Sequence, residues 1–215
     1  MQLIREPANA LTHLIGVFLS AIALYLLLTR ATAHGNLLHM ISFSIYGISM
    51  ILLYLASTLY HMLPVSDYGI RVLRRIDHIM IYVLIAGTYT PVALVVLDGL
   101  VGWVLLAFIW GIALTGTFFK LFRLDAPGWI SLAIYLSMGW AILGVLPFII
   151  PVFTGGAMAW TIAGGLTYTL GAMMYAFKWP DFWPKHFNFH AFWHIMVLVG
   201  SFCFFWLMYQ YVVYI

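Results

Sequence analysis

Charge is what this chain has least of. Nine basic and six acidic side chains make up 7% of its 215 residues, where a soluble domain carries about 25%. That shortage excludes a water-exposed globular domain. Cysteine is almost missing too: Cys203 stands alone inside an apolar run, so no internal disulfide can form and the residue gives no sign of redox compartment. No internal repeat, low-complexity tract or domain-separating linker is visible. What is present is apolar, 65% hydrophobic with a mean hydropathy of +1.06. Runs of about 20 apolar residues, enough to cross a bilayer core as helix, recur along the chain with short polar connections. The formal charge of +3 and pI near 9.0 arise from basic residues in those connections, so lipid headgroups rather than nucleic acid are the expected neighbours.

These runs predict an all-α polytopic membrane protein, a single seven-helix transmembrane domain over residues 1–215. The spans fall at 9–29, 37–61, 76–97, 100–121, 129–150, 157–177 and 188–213. The first resembles a signal peptide, with Arg5 before it and Ala31-Thr-Ala33 at its end, but its apolar run is too long and it is read as an anchor. Arg5, Arg71, Arg74, Arg75, Lys120, Arg123, Lys178 and Lys185 all fall on one side of this topology, and Arg30 alone on the other. Basic residues are retained on the cytoplasmic side, so the N-terminus is expected inside and the C-terminus outside. Within the spans, Pro91 in Gly87-Thr-Tyr-Thr-Pro91 should kink the third helix, and Pro147 and Pro151 mark the end of the fifth. Ala157, Thr161, Gly165 and Thr169 form a small-residue stripe that reads as a helix-packing surface.

Ionisable groups near hydrocarbon are costly, so their positions carry information. Glu6, Asn9 and His13 open the first span, Ser57 and His61 close the second, Asp77 opens the third, and His190 and His194 open the last. All lie within about two helical turns of the expected cytoplasmic face. His190 and His194 share a helix face one turn apart, and Ser57 and His61 repeat that spacing. Three imidazoles suit zinc, and a catalytic zinc site has three protein ligands and an open position. The expected ligands are His61, His190 and His194. Asp77 is placed to hold or deprotonate a water, and Ser57 to donate a hydrogen bond to that water or to a substrate oxygen. Against this stands chance pairing of interfacial histidines. Glu6, Asn9 and His13 read equally well as capping and anchoring residues or as partners behind the ligands. His78 points about 100° from Asp77 and reads as an interface contact, His186 as a loop residue, and His34 and His39 lie on the opposite side.

At this point the sequence resembles the hemolysin III family of bacterial membrane proteins, relatives of the progestin and adipoQ receptors that include the adiponectin receptors. The resemblance rests on Glu6-x-x-Asn9-x-x-x-His13, Ala56-Ser57-Thr-Leu-Tyr-His61, Asp77 followed by Ala86-Gly-Thr-Tyr-Thr-Pro91, Tyr135-Leu-Ser-Met-Gly-Trp140 and His190-Ala-Phe-Trp-His194. It implies a seven-helix bundle in the bacterial inner membrane, with an intramembrane zinc toward the cytoplasmic face held at His61, His190 and His194, and with Ser57 and Asp77 beside its water. Distant relatives resemble alkaline ceramidases, which implies a zinc-dependent lipid amidohydrolase. The chain departs from the pattern at Phe204, where members often carry a histidine ten residues after the last ligand.

The leading expectation is therefore a zinc-dependent hydrolase of a membrane lipid amide or ester. The alternative is a non-enzymatic regulator of membrane lipids, or a pore-forming cytolysin, in which zinc only ties two helices together. A proton-coupled transporter fits less well, because its ionisable groups would sit near mid-membrane rather than at one face.

Overall fold

The computed structural model describes residues 4–123, 128–184 and 186–215; Lys185, one of the residues used to orient the chain, lies outside them. The described residues are helical apart from short connections and one isolated bridge, Trp183 to Phe187. Helices α1 (Pro7–His34) and α2 (Leu37–Met62) are followed by α3 (Asp67–Pro91), which continues as a π-helical turn over Val92–Val96. After α4 (Gly99–Phe122) come α5 (Gly128–Gly139), a tight 3-10 stretch at Ala141–Val145 and the short α6 (Leu146–Ile149). The chain ends with α7 (Gly155–Phe177), α8 (Phe189–Gln210) and a final 3-10 turn, Val212–Tyr214.

Six segments are long and apolar enough to cross a membrane: Pro7–His34, Leu37–Met62, Asp67–Val96, Gly99–Phe122, Gly128–Ile149 and Phe189–Tyr214. The seventh, α7, has the length at 23 residues, but its glycines, threonines and tyrosines dilute its apolarity. Large apolar side chains face outward along the bundle, among them Phe18, Phe108, Phe118 and Phe202, each at least half exposed. A lipid environment satisfies them.

The first four helices pack each on the next, and α8 returns to lie against both α7 and α1. That return brings the start of α8 beside the start of α1 and the end of α2. The interior is filled by Leu27, Phe43, Tyr46, Met50, Leu207 and Met208, all essentially inaccessible.

Three expectations need correction. The third helix begins at Asp67, about nine residues before the expected span, because Ser66 caps it by accepting from the Gly69 amide at 3.3 Å. Hydropathy registers only the apolar part of a helix, so Arg71, Arg74 and Arg75 are helical and Asp77 lies in the third turn rather than opening the element. The fifth span is not one helix. Pro147 has no amide proton to give Leu143, and the chain tightens before it into the Ala141–Val145 stretch. Tyr89 staples the break: its hydroxyl donates to the Gly139 carbonyl at 2.8 Å and accepts from the Ile142 amide at 2.9 Å. Finally, the small-residue stripe of α7 is only partly a packing surface. Ala157 is buried, whereas Gly165 and Thr169 line a cavity, and the close approaches fall at Gly164 against Phe204 and Gly171 against Met196. At Pro91 the helix runs on, and the lost donor is accommodated by the wider π-helical turn, with Leu97 N–H bonded to the Val92 carbonyl at 3.0 Å.

Candidate metal centre

Helix ends place the three histidines. His61 lies in the last turn of α2, and the segment before α1 pairs with that end: the Arg5 amide donates to the Met62 carbonyl at 3.2 Å and the Glu6 amide to the His61 carbonyl at 3.0 Å. These bonds satisfy carbonyls that a helix C-terminus leaves open and set the Glu6 side chain against His61. The start of α8 is fixed by Asn188, whose side chain accepts from the His190 and Ala191 amides, both at 3.1 Å. His190 and His194 then project from one face of the first two turns toward His61.

One ring nitrogen from each of His61, His190 and His194 falls within 4.8 Å of the other two. Each ring carries a buried Nε2 with no hydrogen-bond partner. Such atoms are destabilising unless something fills the space between them.

The other ring nitrogens of His61 and His194 are committed. His61 Nδ1 donates to Glu6 Oε2 at 2.6 Å, and Asn9 Nδ2 donates to the same oxygen at 2.9 Å. With the His61 hydrogen bond as the main cause, the Glu6 carboxyl is held down at about 2, so it is an anion at any ordinary pH and can only accept. His194 Nδ1 lies 3.2 Å from the Asn9 carbonyl and 3.1 Å from Thr12 Oγ1, which itself donates to that carbonyl at 2.9 Å. A carbonyl also only accepts. Both imidazoles therefore carry their proton on Nδ1 and turn the Nε2 lone pair into the centre, the arrangement in which a histidine binds a cation. The donor set fits a divalent metal, with three neutral nitrogen ligands of intermediate softness, protected from water.

Ser57 and Asp77 stand beside this trio. The Ser57 hydroxyl is buried without a hydrogen bond of normal geometry, and Asp77, 5% exposed, has His61, Ser57 and Arg74 as its polar neighbours. Asp77 also lines a cavity of about 130 Å³ bounded by α3, α5, α7 and α8, whose walls are otherwise mainly apolar. A second cavity shares Thr88, Gly139, Trp140, Gly165 and Phe204 with the first and continues toward Ile149 and Leu207 at the other end of the bundle. His13 is buried, with its ring stacked on His194 at 3.5 Å between centroids. His78 and His186 do not join the trio, and Tyr135 donates to the His78 carbonyl at 3.0 Å. His34 ends α1 and His39 begins α2, where His39 completes a capping box with Asn36 and lies 3.2 Å from the Val212 carbonyl, at the opposite end. Phe204, in place of the often-present histidine, packs against Tyr168 and borders both cavities.

Thr12 was not singled out by sequence reasoning. Its only signal is its place one turn from Asn9 on the face that carries Glu6, and its role depends on α8 arriving from 182 residues away.

Taken together, these features define an integral membrane protein with a three-histidine metal-type centre at one end of a helical bundle. Comparison with known proteins narrows that class. Residues 1–205 match the family described as Haemolysin-III related. The chain is 42% identical over 197 residues to Hemolysin-3 of Bacillus cereus, covering 91% of this chain and 86% of the relative. It is 41% identical over 196 residues to a Hemolysin-3 homolog of Bacillus subtilis (strain 168), covering 91% and 89% respectively. The chain belongs to the hemolysin III family.

Proposed function

We propose that this protein is a zinc-dependent hydrolase of a membrane lipid amide or ester, with seven transmembrane helices and its centre near the cytoplasmic face of the bacterial inner membrane. The observation that carries the reading is the convergence of three imidazoles, each with a buried, unpartnered Nε2, beside a carboxyl group that opens onto an apolar cavity. His61, His190 and His194 hold the zinc, which when bound supplies a Lewis acid that polarises a carbonyl and acidifies water. Glu6, Asn9 and Thr12 hold the His61 and His194 imidazoles in the binding tautomer. Asp77 takes the proton from the attacking water as its oxygen bonds to the carbonyl carbon. It returns that proton to the amine or alcohol when the C–N or C–O bond breaks. Ser57 donates a hydrogen bond to the carbonyl oxygen as charge develops there. The paired cavities take the acyl chain and keep bulk water out.

The one-sided distribution of basic residues supports the orientation, and the length of α7 supports its counting as a span despite its lower apolarity. Membership of a bacterial family supports the inner membrane.

The test is Asp77→Asn. Purified variant and wild type should hold equal metal, while hydrolysis of fluorogenic lipid amides and esters falls by about 10²-fold or more in the variant. Full turnover in the variant removes Asp77 as the base. The second reading, a non-enzymatic protein whose metal only ties α2 to α8, is favoured by the name of the Bacillus cereus relative, Hemolysin-3. It predicts no hydrolysis by either protein, and membrane leakage that Asp77→Asn leaves intact.

A further inference from the structure

His13 is buried at the centre with no function in the network just described. It is 2% exposed, and both of its ring nitrogens lack a partner among the described residues. Leaving both unsatisfied in apolar surroundings is destabilising, so the ring awaits something. It is not a fourth ligand. Its ring lies nearly parallel to that of His194, at 12° and 3.5 Å. Imidazole lone pairs lie in the ring plane, so two stacked rings hold theirs in separate, nearly parallel planes that do not meet at one ion. Tyr54 does not serve it either, because that ring meets His13 edge-on and its hydroxyl donates to Ser201 Oγ at 2.6 Å.

His13 does face the cavity, along with Asp77. The hydroxyls on that wall are already engaged. Thr88 donates to the Leu84 carbonyl at 2.8 Å, Tyr168 pairs with Ser201 Oγ at 2.9 Å, and Thr169 accepts from the Trp140 ring at 3.0 Å. An open donor and an open acceptor thus sit, with Asp77, in a wall that is otherwise apolar or already hydrogen-bonded, beside the metal-binding histidines.

We infer that His13 recognises a hydroxyl group on the acyl part of the lipid, so that the cavity selects hydroxyacyl over plain acyl chains. A neutral imidazole offers one N–H and one lone pair, and a hydroxyl answers both. Because His13 stacks on a member of the trio, the hydroxyl belongs near the carbonyl end of the chain, as in a 2- or 3-hydroxyacyl group, and not at its tail. The inference rests on the proposed function in that it places the acyl chain in this cavity.

Binding of product-like acids tests it without turnover. Metal-loaded protein in nanodiscs is titrated calorimetrically with hexadecanoic acid and with 3-hydroxyhexadecanoic acid, with Trp140 and Trp193 in the cavity wall as fluorescent reporters. Wild type should bind the hydroxy acid about tenfold more tightly. His13→Phe, which keeps a stacked ring, should bind both acids equally with its metal and its affinity for the plain acid unchanged. His13→Gln, which restores a donor and an acceptor, should recover part of the preference. Equal binding by wild type, or a preference that survives in His13→Phe, overturns the inference and leaves the hydrolase reading standing. Binding of neither acid by metal-loaded wild type overturns both.

Discussion

Glu6 fixes the tautomer of a histidine 55 residues away. A carboxylate held ionised behind an imidazole makes the opposite nitrogen a better ligand and keeps the ring from swinging. Glu6→Gln retains the shape but removes the charge, and should weaken metal binding by about 10- to 100-fold, read by competition with a chelator of known affinity. Unchanged affinity would leave Glu6 as no more than a link between α1 and α2. Much of this residue-scale chemistry was visible beforehand, since spacings of three and four place Glu6 with Asn9, and His190 with His194, on shared helix faces. Thr12 and the stacking of His13 were not, because both depend on the approach of α8, and no local pattern reports a contact across the whole chain.

The elements hold the centre by close approach. A Cβ at Gly16 would lie 2.8 Å from the Tyr54 ring and 2.9 Å from Leu198, so α1 meets α2 and α8 at a point where nothing larger fits. Gly16→Val should force α1 outward, lower stability by about 1–3 kcal/mol and loosen metal retention, because Asn9 and Thr12 would withdraw from His194. Thermal unfolding in detergent with and without chelator measures both; a variant with wild-type melting and metal content would show that α1 is not held there. At this scale the apolar runs gave the positions of the helices and missed their polar ends and interruptions. The early start of α3 depends on a serine cap in a polar stretch, and the break in the fifth segment depends on Tyr89 bonding to backbone groups 50 and 53 residues further on.

For the whole molecule, the central fact is that the chain returns on itself, bringing the first, second and last long helices together at one end where nearly all the unpaired imidazole nitrogen is gathered. The proposed topology puts that end inside the cell. Single cysteines introduced at exposed Tyr68, in the first turn of α3, and at Leu37, at the start of α2, in a Cys203→Ser background should be labelled by a membrane-impermeant maleimide from opposite sides. A C-terminal reporter should be found outside. A reporter inside would mean that one of the seven proposed spans, α7 foremost, does not cross. Hydrolysis, acyl-chain selection and the link between α2 and α8 all depend on the metal. Elemental analysis of protein purified without chelators, wild type beside His190→Ala/His194→Ala, should give about one zinc per chain in the former and none in the latter. Wild-type protein that holds no zinc, or a double variant that holds as much as wild type, would contradict the account.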